Sequence, residues 1–169
     1  MEIIAVYWEP KIKTYGFQVR TDCLLASAAL SIEQIIEWGE QIERGGGKSD
    51  FLMALIQMDD QDTLGVHLLF DRDRDAEASP VTFNHAKGPA GIEFSLNSPV
   101  DLIYFQGPHF GDRYGIADAA LRALAARSIP VLAAGFTGAS VYIVVADKQA
   151  RDVTRCLSEF FTVPEATGL

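Results

Sequence analysis

The 169-residue chain has little of what marks secreted, metal-binding or membrane proteins. It has two cysteines, Cys23 and Cys156, which are far apart and form neither a CxxC pair nor a zinc spacing. Two buried free thiols in a reducing compartment are therefore expected. No apolar run approaches the ~18 residues of a membrane-spanning helix. Residues 1–13, MEIIAVYWEPKIK, lack the basic start and apolar core of a signal peptide, so a cytoplasmic location is expected. Positive charge is scarce: 14 Lys and Arg stand against 23 Asp and Glu, a formal net charge of -9. That balance argues against binding nucleic acid or an anionic membrane, which both need clustered cations. The three histidines, His67, His85 and His109, have no metal spacing. Asp71, Asp73 and Asp75 alternate as in a calcium loop, but Ala76 and Thr82 stand where that loop needs Gly and Glu. No metal or cofactor is expected. No serine sits in a G-x-S-x-G elbow and no local Ser/His/Asp or Cys/His signature is present, so the chain reads as non-enzymatic.

What is present is globular: 49% hydrophobic and 22% charged residues, in a length that suits one or two small domains. Residues 2–8 and 12–19 are β-rich runs broken at Glu9-Pro10-Lys11, which suggests a hairpin. Residues 20–30, RTDCLLASAAL, fit a loop, a bent strand or the approach to a helix. Ser31 and Gln34 form a capping box, and Ile32, Ile35, Ile36 and Ile42 recur near a 3.6-residue period. Glu33, Glu37, Glu40 and Glu43 form the wet face, and Gly45-Gly46-Gly47 ends the helix. Residues 51–58, FLMALIQM, read as a buried strand, and Asp59 to Asp62 as a turn. Residues 64–70 form a strand with Leu64, Val66, Leu68 and Phe70 on one face and His67 on the other. Residues 71–90, which include His85, are polar and read as a linker.

The second half repeats this order. GIEFSL (91–96) is a strand, Asn97-Ser98-Pro99 a turn, and VDLIYFQ (100–106) a strand. A helix over 115–127 carries Ala117, Ala120, Leu121 and Leu124 on one face, with Asp118 able to pair with Arg122. Residues 129–134 and 140–146 are strands, and Asp147 caps a last helix with Ala150, Val153, Leu157 and Phe160 on its face. Both faces of SVYIVVA are apolar, so its second face should be covered by a partner. A repeated β-α-β-β-α-β order gives a ferredoxin-like plait, an antiparallel sheet with helices on one face.

Three stretches carry a family resemblance. "VDLIYFQGPHFGDRYGIADAALRALAARSIPVLAAG" and "SVYIVVADKQARDVTRCLSEFF" resemble the second ACT domain of aspartate kinases, and "IIAVYWEPKIKTYGFQV" resembles the hairpin that opens their regulatory region. The resemblance implies an α+β fold of two tandem ACT units: a degenerate one at 1–90 and a fuller one at 91–169. It also implies that this regulatory module stands apart from the kinase catalytic domain, since nothing here resembles the kinase nucleotide-binding motif. The first half departs from the family, with RTDCLLASAALS where an Asp-x-Pro-Gly type of loop is usual.

ACT domains typically sense a small molecule, often an amino acid, where two such domains meet. In this sequence the loop before the helix at 115–127 holds the residues suited to that task. Helix-start amides attract a carboxylate, Gly111 and Gly115 let backbone come close, Asp112 can meet an ammonium group, and Arg113 can add to the carboxylate side. The candidate ligand-binding set is His109, Gly111, Asp112, Arg113, Tyr114, Gly115 and Ile116, joined by Phe136 and Thr137 from the end of the following strand. The same residues also suit a tight strand-to-helix loop with no ligand. Two readings follow. One is a homodimeric sensor of a small ligand, with an amino acid as the expected ligand. The other is a ligand-free interaction module that pairs with itself or with an amino-acid biosynthetic enzyme.

Overall fold

The computed structural model describes residues 11–44, 51–58, 63–71 and 92–163, with side chains of the first stretch described to residue 40. The expected strand at 2–8, the turn at 59–62, the linker with His85, and the glycine run at 45–47 lie outside these residues. The elements run β1 (Ile12–Lys13), β2 (Phe17–Leu30), α1 (Ile32–Arg44), β3 (Phe51–Met58), β4 (Leu64–Asp71), β5 (Ser95–Gln106), α2 (Ile116–Ala125), β6 (Val131–Phe136), β7 (Ser140–Ala146), α3 (Ala150–Leu157) and β8 (Phe161–Thr162). A short 3-10 turn, Phe110–Asp112, precedes α2.

These elements form two compact units, and they do not divide at residue 90. One unit, here the terminal unit, holds residues 11–19, 102–145 and 149–163; the other, the inserted unit, holds residues 20–101 and 146–148 of the chain, as far as they are described. The reason is a long-range pairing. Ile12 lies beside Phe161 and Lys13 beside Thr162 in a parallel ladder. The Ile12 and Thr14 amides donate to the carbonyls of Phe160 and Thr162 at 2.8 Å each. Residues 12–13 therefore pair with residues 161–162, and the other strand of the expected hairpin lies outside the described residues.

The terminal unit has the strand order β2-β5-β7-β6, with β6 and β7 antiparallel. Its element order β5-α2-β6-β7-α3-β8 is βαββαβ. Helices α2 and α3 bury Ile116, Ala120, Ala123, Leu124, Ala150, Val153, Cys156 and Leu157 against Ile103, Phe105, Val141, Ile143 and Val145 of the sheet. The buried face of α2 is thus rotated from the expected one. Ile116 and Ala123 take the places given to Ala117 and Leu121, and Leu121 stays 41% exposed. Asp118 and Arg122 pair as expected, at 2.7 Å. Asp147 does not cap α3; its N-cap is Gln149, with no side-chain bond. Phe160 lies beyond that helix and is exposed, while Phe161 takes the buried place. Val144, on the face of β7 away from the helices, is fully buried too.

The inserted unit has the order β3-β4-β2-β5, with β3-β4 and β4-β2 antiparallel. The ambiguous residues 20–30 are the body of β2. Its core joins Ala26, Leu30, Val66, Leu68, Phe70 and Ile92 to Trp38 of α1, and Phe94 lies 5.1 Å from the Trp38 ring. The capping box forms: the Ser31 amide donates to Gln34 Oε1 at 2.9 Å and the Gln34 amide to Ser31 Oγ at 3.3 Å. Burying an indole of this kind is worth ~3–5 kcal/mol by truncation. Asn97-Ser98-Pro99 is not a turn; β5 runs through it, with a cis Ser98–Pro99 bond. Strand β3 is not buried either. Among the described strands of the unit it is the outermost, and only Met53 on it is buried. The position of His67 opposite the Val66 face holds, and its Nδ1 lies 2.8 Å from Ser27 Oγ.

Both cysteines are buried free thiols. Burial, with the Asp71 carboxylate adding to it, raises the Cys23 thiol from 9.0 to about 11. The folded state therefore holds the proton more tightly than the unfolded chain. This contribution is fully present below pH 9 and is lost as pH rises toward 11. Cys23 should resist a thiol reagent at pH 8 until the protein is unfolded. Between pH 8 and 11 the wild type should lose more stability in urea titrations than Cys23→Ala does; equal losses would contradict the assignment.

Candidate functional site

The loop between β5 and α2 is fixed from beneath by the N-terminal segment. Thr14, fully buried, donates its hydroxyl to the Gln106 carbonyl at 2.7 Å, and the Tyr15 amide donates to the same oxygen at 2.9 Å. Gly107 follows at a point where a Cβ would sit 2.3 Å from the Lys13 carbonyl oxygen and 2.4 Å from the Phe110 ring. Only a residue without a side chain fits there.

Phe110 is the second anchor. Its ring enters the core of the terminal unit, 6.1 Å from Phe105 and 6.5 Å from Phe161. Phe17 adds to this aromatic cluster at 5.1 Å from Phe105. With Phe110 held inside, its neighbours His109, Gly111 and Asp112 are turned outward and are exposed. His109 adopts a left-handed φ of 61°, and its Nδ1 lies 3.7 Å from Asp112 Oδ2.

The β6–β7 turn reaches the same place. A Cβ on Gly111 would lie 3.1 Å from the Gly138 carbonyl oxygen, so the loop and the turn are nearly in contact through backbone. Thr137 stabilises that turn: its amide donates to the Ser140 carbonyl at 2.9 Å, and its Oγ1 accepts from the Ser140 amide at 3.0 Å. Phe136, 37% exposed, stands at the entrance to it.

Gly115 is the N-cap of α2, at φ 85°, with no side-chain cap bond. The first amides of a helix have no intrahelical partner, and a glycine cap supplies no side-chain acceptor for them. The α2 start therefore presents donors and partial positive charge. In the loop that leads to it, the Asp112 carboxylate and the Tyr114 ring are exposed, Tyr114 at 99%. Arg113 is half-buried and Ile116 belongs to the core, so Ile116 can offer a ligand only its backbone amide. Of the nine sequence-selected residues, the structure brings His109 through Gly115 and Phe136–Thr137 to one end of the terminal unit.

Sequence reasoning missed Thr14, Gly107, Phe110 and Gly138. A phenylalanine flanked by His109 and Gly111 was a readable signal for an anchor; the contacts of Thr14 and Gly138 depend on chain closure and were not. Among the described residues, no group of three or more His, Cys, Asp or Glu is placed to hold a metal. Among them, no helix is long and apolar enough to cross a membrane.

No protein-family model matches the chain, and no curated protein matches it significantly. Solved structures do match. The chain superposes on the ligand-free regulatory subunit of aspartate kinase from Thermus thermophilus with a TM-score of 0.67 and 13% identity, covering 88% of this chain and 99% of that one. Against aspartate kinase from Clostridium acetobutylicum the TM-score is 0.69 at 12% identity, covering 87% of this chain but 35% of that enzyme. A third match is E. coli aspartokinase III in complex with lysine and aspartate, at TM-score 0.58 and 15% identity, covering 91% of this chain and 34% of that one. The chain thus has the fold of an aspartate kinase regulatory region, over almost the full length of a free regulatory subunit and about a third of the whole enzymes.

Gly107→Ala tests the anchoring directly. The added methyl group has no space between Lys13 and Phe110, and overpacking of this kind costs ~1–3 kcal/mol. Urea unfolding should show a lower midpoint, with faster proteolysis between residues 107 and 115. An unchanged midpoint would mean that the loop is not clamped as described.

Proposed function

We propose that the chain is a non-catalytic regulatory module of two ACT-type units that senses a small ligand, an amino acid, at an interface formed when two copies pair. The fold shared with aspartate kinase regulatory subunits supports the class. The observation that carries the site is the convergence of three features at one end of the terminal unit: the uncapped start of α2, the Asp112 carboxylate, and the β6–β7 turn at Gly138. An amino acid presents opposite charges on one carbon, and this corner offers opposite complements a short distance apart. The α2 amides would take the carboxylate, and Asp112, beside His109, would take the ammonium group.

The exposure of the corner fits an interface. Asp112, Tyr114, Gly115 and Phe136 are all open to water, so a single chain gives a ligand a rim without a roof. A second copy laid over Tyr114 would exclude water and strengthen each of these polar contacts. In this reading the ligand favours the paired state and changes the behaviour of whatever the module is joined to or docks on, such as an amino-acid biosynthetic enzyme.

The same exposure favours a second reading, in which the module binds no small molecule and acts through protein contacts alone. Calorimetric titration of the full chain with the proteinogenic amino acids separates the two, beginning with lysine and aspartate, which aspartokinase III is seen to hold. The sensor reading predicts saturable binding to at least one amino acid, weakened about tenfold or more by Asp112→Ala, consistent with ~1.5–3 kcal/mol for a charged hydrogen bond. Gly115→Asp places a carboxylate at the α2 cap, at a φ of 85° that strains any side chain, and should abolish binding; circular dichroism and urea unfolding of the variant separate lost binding from lost fold. Flat titrations for every amino acid would overturn the sensor reading in favour of the interaction module.

A further inference from the structure

The chain is acidic, but its charge is not spread evenly. Among the described residues, the inserted unit has three Lys and Arg against nine Asp and Glu, and the terminal unit has seven against four. Much of that positive excess lies along α3. At about 100° per residue, Arg151 and Arg155 stand about 40° apart, and about 150–170° from the middle of the face that buries Ala150, Val153, Cys156 and Leu157. The Ser158, Glu159 and Phe160 amides donate to the carbonyls of Thr154, Cys156 and Leu157, so a helical turn carries the row on to Phe160. Two more cations join it there. Lys11 Nζ donates to the Ser158 carbonyl at 3.1 Å, and Arg127 Nη2 lies 2.8 Å from Glu159 Oε1. Four cations thus follow one ridge from residue 151 to residue 159, ~12 Å at the helical rise, and Phe160 closes it, 40% exposed.

Local structure accounts for part of this ridge and not for the rest. Asp152 in the first turn and Arg155 in the last suit the α3 dipole, and they bond to each other at 2.7 Å. Arg127 and Glu159 tie the segment after α2 to the segment after α3. Arg151 is different. It stands in the first turn, where the dipole disfavours a cation, and it has no ion pair among the described residues. Lys11 meets a carbonyl rather than a carboxylate. Arg155 and Arg127 are 71% and 56% exposed, and exposed ion pairs hold their partners weakly, so both can turn to carboxylates of another molecule.

We infer that this ridge is a docking site for an acidic segment of a partner protein, with Phe160 taking an apolar side chain beside the carboxylates. Charge complementarity sets the sign of the partner, and the size of the ridge sets its class. The field of the ridge reaches about one Debye length, ~8–10 Å, which a single peptide segment can match. A nucleic acid or an anionic bilayer extends well beyond that and would meet the rest of a chain of net charge -9. Arginine is the charged side chain that protein interfaces favour, and its guanidinium grips a carboxylate through two parallel bonds. The exposed Phe160 ring adds an apolar anchor that a free anion would not use. The inference rests on the reading of the chain as a regulatory module that acts on a partner, and it gives that partner a chemistry and a place. It does not depend on ligand binding near α2.

Fluorescence anisotropy of a labelled synthetic helix of Glu and Leu, titrated with the full chain, tests it. Saturable binding is expected at about 0.05 M salt, weakened about tenfold or more at about 0.3 M. Arg151→Glu and Arg155→Glu should each weaken it about tenfold or more, as loss of a charged contact does. Phe160→Ser should weaken it and leave its salt dependence in place. Arg20→Glu, the same change of net charge on the inserted unit, should leave binding unchanged. Arg151→Glu also separates docking from folding. It exchanges a cation for an anion at the positive end of α3, so the urea midpoint should hold or rise while the affinity falls. No saturable binding of the Glu-Leu helix, or binding indifferent to both arginine reversals, would overturn the inference. Inorganic polyphosphate that binds as tightly, and is lost in the same variants, would overturn the protein segment in favour of a general anion site. Amino-acid titration of the same samples keeps the two proposals apart: a bound helix with flat titrations sinks the sensor and retains this ridge, and a bound amino acid without the helix does the reverse.

Discussion

The rest of this structure depends on one carbonyl oxygen. Gln106 O, at the end of β5, accepts the Thr14 hydroxyl and the Tyr15 amide, which come from the other end of the terminal unit's chain path. The next residue, Gly107, lies against the Lys13 carbonyl with no room for a side chain. The segment making these contacts is itself held by its parallel pairing with β8. This circuit joins residues 92 apart in the chain, and the loop-closure cost of such a contact grows only slowly with length. Once closed, it fixes where the β5–α2 loop leaves the sheet. Phe110 then drops into the aromatic cluster, and the exposed residues around it follow.

The same closure explains how the two units divide. A chain that is repeated in order need not be divided in order. Here the second unit is inserted between residues that belong together in the first. The expectation of halves split at residue 90 came from reading elements as a string, where a pairing between residues 12 and 161 has no local mark. What the string did carry was local chemistry. The Ser31–Gln34 capping box, the alternation of Leu64, Val66, Leu68 and Phe70, and the Asp118–Arg122 pair are all found as read.

The misreadings have physical causes that can be named. RTDCLLASAAL gave no clear period because β2 buries Leu25 and Ala26 on opposite faces and bends at Asp22, whose φ is 58°. Asn97-Ser98-Pro99 has turn chemistry, but β5 carries it within a strand. FLMALIQM is apolar enough for a core strand, yet it stands at an edge; composition reports what a strand prefers to bury, and only topology says whether something is there to bury it. At the candidate site, the Gly and Asp residues marked a tight strand-to-helix loop, and the structure leaves His109, Gly111 and Asp112 of that loop exposed. Their anchors were not marked, because Thr14 and Gly138 gain meaning only from partners distant in sequence.

The measurement that tests this account most directly is amide hydrogen exchange at Tyr15. The structure places that amide on Gln106 O, the acceptor that the buried Thr14 hydroxyl shares. It should exchange through the same opening as Ile143, buried in the terminal unit's core, with opening free energies agreeing within about 1 kcal/mol. A Tyr15 amide that exchanges orders of magnitude faster than Ile143 would mean that the N-terminal segment frays independently, and the clamp beneath the β5–α2 loop would not exist.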